Sequence, residues 1–94
     1  MENIHEYKIT NPKLIGELSI IKTYCNGFIK IYEDQTYKNV FKETRFVVSF
    51  FGVDLYDAFC DEELDMIVKT LIKGYVESIN SKNNLNINDN LLTL

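Results

Sequence analysis

The most regular alternation of apolar and polar positions runs from Asp61 to Asn80, DEELDMIVKTLIKGYVESIN. Leu64, Ile67, Val68, Leu71, Ile72, Tyr75 and Ile79 recur at the i, i+3, i+4, i+7 spacing of one helical face. At 100° per residue they fit within roughly 140° of arc. The other side carries Glu62, Asp65, Lys69, Lys73, Glu77 and Asn80. Asp61 reads as the N-cap, and Glu62 and Glu63 in the first turn suit the helix dipole. Burying seven large side chains is worth roughly 10–20 kcal/mol in gross terms, against about 1 kcal/mol lost to Gly74. The helix therefore packs on another layer, and in a short chain that layer is a sheet. Upstream, Asp54 and Asp57 offer an earlier cap, but one straight helix continued backwards would put Leu55 and Phe59 on the charged side. A short helix or turn is expected over 54–59, with a break near Cys60.

The rest of the chain reads as strands. Residues 4–9, IHEYKI, form a candidate first strand, and Asn11-Pro12 a turn. Between Leu14 and Cys25 the second half reads as strand. Asn26-Gly27 between two apolar runs is a hairpin signal. A two-residue loop pairs Cys25 with Phe28; a three-residue loop with Gly27 left-handed pairs Tyr24 with Phe28. The second register is preferred, because it gathers Ile21, Thr23, Ile29 and Ile31 on one face. Its outer face then shows Ile20, Tyr24, Phe28 and Tyr32, an aromatic surface that is either covered or a contact site. Glu33 to Thr36 is a polar turn, and Tyr37 to Lys42 is strand or irregular. FVVSFF, 46–51, is apolar on both parities, as in a strand covered on both faces, and Gly52 ends it.

The fold class expected is α+β: a small antiparallel sheet of about three or four strands against one main C-terminal helix, about 61–80. Residues 1–82 make a single domain, and 83–94 an Asn-rich tail. The tail reads as a frayed end, or as an edge strand (Leu85, Ile87) followed by a leucine plug (Leu91, Leu92, Leu94).

Composition adds setting. The 94 residues make one domain. No run of eighteen apolar residues suggests a membrane span, and no basic-then-apolar start suggests a secretory signal. Two separated cysteines, Cys25 and Cys60, point to reduced thiols and a cytoplasmic location. Nine Lys to one Arg, with eleven Ile and ten Asn, suggests an AT-rich coding source such as a low-GC bacterium or its phages and plasmids.

Net charge is −4, and it is local. Residues 54–65 hold six acids (Asp54, Asp57, Asp61, Glu62, Glu63 and Asp65) and no base, while the other eight acids face ten bases. This balance argues against direct nucleic-acid binding, which needs cations to displace counterions. The single histidine, His5, lacks an evident catalytic partner, and two distant cysteines do not make a zinc site. Cys60 lies among carboxylates that disfavour a thiolate, and reads as a small packing residue. DEELD lacks the alternating acids and central Gly of a calcium loop. Phosphate-loop and nucleophile-elbow motifs are absent. No catalytic, cofactor-binding or metal residue is assigned, and no cofactor is expected.

The leading expectation is a small acidic, non-enzymatic protein-binding module. Asp54, Asp57, Asp61, Glu62, Glu63 and Asp65 would dock on a basic surface, with Tyr24, Phe28 and Tyr32 as further contacts. One version is an inhibitor seated in the nucleic-acid groove of a host defence protein, in the manner of anti-CRISPR proteins, on an analogy of size and charge. The alternatives are a homodimer or complex subunit assembled through an edge strand and the aromatic hairpin face, and a small ligand-sensing domain.

Overall fold

A computed structural model describes residues 4–83, and these form an α+β fold. The order is β1 (Leu18–Tyr24), β2 (Ile29–Asp34), α1 (Gln35–Phe41), β3 (Phe46–Phe50), β4 (Asp54–Ala58) and α2 (Asp61–Asn83). The four strands pair in sequence order, all antiparallel, as one meander. Short connections favour this topology, since each strand meets its predecessor without a crossover. The C-terminal tail expected from Asn83 onward lies, beyond that residue, outside the described residues.

Strand parity decides the two faces. Ile29, Ile31, Val48, Tyr56 and Ala58 are buried and point to α2, which answers with Ile67, Val68, Leu71, Tyr75 and Val76. Four of the expected helix positions lie among these buried groups, and Leu64, Ile72 and Ile79 are partly buried on the flanks. The stripe is wider than expected by Val76. Residues 30, 32, 47, 49, 55 and 57 take the opposite face through the pairs Lys30↔Ser49, Tyr32↔Val47, Ser49↔Leu55 and Val47↔Asp57.

Four local expectations are corrected. Ile4–Tyr7 is a 3-10 turn, and the segment meets the sheet only after it, through the Lys8 bridge to Tyr56 and the Ile9 N–H on the Leu55 carbonyl. The segment 54–58 is a strand, where a helix or turn is expected: alternation sends Tyr56 and Ala58 inward, and a β3 ladder satisfies its backbone. Residues 35–41 form a helix, capped by the Asp34 carboxylate, which accepts from the Tyr37 N–H at 3.0 Å. Its left-handed C-cap is Lys42, φ 59°. Finally, α2 begins at Asp61, so the N-cap is Cys60, whose carbonyl accepts from the Leu64 N–H at 3.1 Å. The Glu63 carboxylate reaches back to the Phe59 N–H at 2.8 Å, a capping-box-like return.

The hairpin register is a composite. Next to the turn, Tyr24 pairs with Ile29, so the loop has four residues, with Cys25, Asn26 and Gly27 all at positive φ. A bulge at Ile21 then shifts the ladder by one, and Ile20↔Tyr32 and Leu18↔Asp34 follow the register expected from sequence. The bulge inverts parity between the two halves. Tyr24 therefore joins the helix side, while Tyr32 stays on the opposite face, so the single aromatic outer face expected from sequence is divided. At the other hairpin, Phe51 and Gly52 hold φ of 56° and 71°. That pair of left-handed residues matches the strand twist, as in a type I′ turn. Glycine adopts it freely; Phe51 does so at a steric cost of about 1–2 kcal/mol.

Candidate binding surfaces of the sheet and the acidic helix start

Six acids adjacent in sequence are not one patch in space. Asp54 pairs with Lys8 at 2.9 Å, beside the closed edge of β4. Asp54 raises the Lys8 ammonium above its ordinary value, and burial, with Asp54 nearby, raises the Tyr56 phenol. Asp57 points to the face opposite α2 and binds Arg45 at 3.2 Å. Glu63 is occupied by the Phe59 N–H, and Asp65 pairs with Lys69 along the helix at 2.8 Å. Asp61 and Glu62 stay exposed at the head of α2.

Arg45, the sole arginine, organises a buried polar centre. One guanidinium nitrogen donates to the Asp34 carboxylate at 2.9 Å and to the Leu14 carbonyl at 2.8 Å; the other reaches Asp57. Asp34 also accepts from the N–H groups of Gly16 and Tyr37. Burial alone would raise the Asp34 carboxyl, but those two N–H groups and the guanidinium outweigh it and hold the group below the ordinary carboxylate value. Gly16 is required here, because a Cβ on it would lie 2.5 Å from the Thr36 Cβ and 2.6 Å from Asp34 Oδ1. Five chain segments meet at this point, and its role is architectural. Sequence reasoning missed Arg45 and Asp34. The available signal was an arginine standing alone among nine lysines just before a strand apolar on both faces, since the planar fork of arginine suits a buried two-carboxylate site.

Two concave surfaces hold the predicted aromatic contact residues. The first lies between β1 and the start of α2, with a volume of about 440 Å³. Ile21, Tyr24, Ile31, Leu64 and Val68 give it an apolar floor, and Lys22, Asp61 and Asp65 edge it. The Lys22 ammonium rests over the Tyr24 ring, 4.9 Å from its centre. The second, about 580 Å³, lies on the face opposite α2 and is bordered by Phe28, Lys30, Tyr32, Ser49, Phe51 and Leu55. Phe28 and Phe51 stand 4.9 Å apart, and both pack near Tyr75 of α2. The predicted contact residues are thus distributed: Tyr24 in the first concavity, Tyr32 in the second, and Phe28 at the rim of the second.

The outer edges of the sheet also differ. On β4, the Lys8 bridge and the Ile9 N–H, which donates to the Leu55 carbonyl at 2.8 Å, occupy the edge. On β1, no further strand pairs among the described residues, and Ile20 and Ile21 are 54% and 53% exposed. Among the described residues no three His, Cys, Asp or Glu side chains gather to hold a metal ion, and no helix is long and apolar enough to cross a membrane. Comparison with protein families, with curated proteins and with solved structures finds no match to this chain.

Proposed function

We propose that this chain is a non-enzymatic protein-binding module that takes an extended, basic segment of a partner protein onto the open edge of β1. The observation that carries this reading is the juxtaposition of that edge with the groove under α2. Exposed Ile20 and Ile21 lie on a strand whose outer edge is unpaired among the described residues, and the acidic start of the helix, Asp61 with Glu62 and Asp65, stands alongside. Main-chain pairing supplies affinity in strand addition, and alternate side chains supply specificity by entering the adjacent groove. The carboxylates favour a partner with cations, such as a segment from the basic surface of a nucleic-acid-binding protein, and they speed its encounter.

Alternating Lys-Val and Glu-Val peptides, both strand-forming, separate the possibilities. The basic peptide is expected to bind and to slow amide exchange along 18–24, with affinity falling as salt rises. Ile21→Lys is expected to abolish binding, and Asp61→Lys with Glu62→Lys to weaken it by about tenfold, one to two charge pairs' worth. Protection of β1 in the free protein that disappears on dilution would assign the edge to a second copy of the chain instead. Equal binding of both peptides would end the electrostatic part of the reading.

A further inference from the structure

The concavity on the face opposite α2 has the chemistry of a small-molecule site. Across the sheet, Lys30 pairs with Ser49 and Ser49 with Leu55, so the shortest side chain of the row sits in its middle strand and leaves a depression. Ser49 is only 6% exposed, and its hydroxyl makes no hydrogen bond within the described residues and is not sealed from solvent. Phe28 and Phe51 wall one end, tied together where the Phe51 N–H donates to the Phe28 carbonyl at 2.8 Å. Phe51 stands there in a left-handed conformation, with its ring against Phe28 and near Tyr75 of α2. Tyr32 walls the other end. Lys30 is the one charged side chain lining the space, and it forms no ion pair among the described residues. A volume of about 580 Å³ is in the range of small-ligand pockets, and a mostly apolar lining with a few convergent polar groups is their usual make-up.

We infer that this face binds a small aromatic or cyclic molecule carrying one anionic group. Its apolar body lies against Leu18, Leu55 and the contacting pair of Phe28 and Phe51. Its anion meets the Lys30 ammonium, with the hydroxyls of Ser49 and Tyr32 as further donors. The site is separate from the β1 groove, so it stands whether or not that groove binds a peptide.

Two probes with the same aromatic framework test it: 8-anilinonaphthalene-1-sulfonate, and N-phenyl-1-naphthylamine, which lacks the sulfonate. The full chain is expected to brighten both, and to bind the sulfonate about tenfold or more tightly, the usual return of one charge-assisted contact. Lys30→Gln is expected to remove that preference and leave binding of the neutral probe within about twofold of the parent, since only the ionic contact is lost. Ser49→Leu is expected to fill the depression and abolish both. Thermal melts establish that each variant is folded; if Ser49→Leu fails to fold, Lys30→Gln decides alone. Unchanged sulfonate binding in Lys30→Gln, or equal loss of both probes, overturns the inference. Ile21→Lys, in the β1 groove, is expected to leave both probes unaffected, so failure of one site is distinguishable from failure of the other.

Discussion

The two faces of the sheet are held by different physics. Against α2, strands and helix bury a continuous apolar layer that includes Ile29, Val48, Ile67 and Leu71. The opposite face is not covered by α2. One end is closed by the N-terminal segment around the Arg45 centre, and the other end is open above Ser49. Apolar burial is nondirectional and tolerates modest rearrangement, whereas a buried ion triad depends on every partner. A small domain with one long helix has enough apolar surface for one face. Here directional bonds do the work of a second layer over half of the other.

Removing the triad should break this comparison most sharply. Arg45→Met leaves two carboxylates, one of them deeply buried, without their cation and is expected to cost about 3–5 kcal/mol in urea unfolding. A loss under about 1 kcal/mol would mean that the second face is held by something else. On the helix-covered face, Leu71→Ala should cost about 2–5 kcal/mol, with no change in the pH dependence of stability. Gly16→Ala comes next. Its methyl meets Thr36 and Asp34, both held by hydrogen bonds, and should destabilise by about 1–3 kcal/mol.

Acid sharpens the same contrast. Because the folded-state Asp34 carboxyl lies below its ordinary value, its contribution is fully present above the unfolded-state pKa of about 3.9 and is lost as pH falls further, through the folded value. Asp34→Asn should flatten that part of the stability–pH curve, whereas Leu71→Ala should only lower the curve as a whole. The smallest effect expected is a gain. A Cβ at Gly74 meets nothing within 4 Å, so Gly74→Ala should stabilise α2 by up to about 1 kcal/mol, read as a rise in melting temperature.

Local pattern by itself determined the α+β class, α2 and its buried stripe, β3, and the presence of a hairpin at Asn26-Gly27. Those features follow from periodicity and turn chemistry, which act over a few residues. The acidic segment was legible as composition, but its meaning was not. Only the tertiary structure divided it: Asp57 turned toward Arg45, Asp54 toward Lys8, and Glu63 toward the Phe59 N–H. Residues 54–58 became a strand because β3 offered a ladder, a partner that no local propensity contains. The α1 helix was set by the Asp34 cap, whose carboxylate is held by Arg45 from eleven residues away. The bulge at Ile21 redistributed Tyr24 and Tyr32 to opposite faces, because one extra residue in a strand inverts every side chain beyond it. Helical period and turn type are properties of neighbours in sequence; parity across a sheet and the pairing of a buried arginine are properties of neighbours in space.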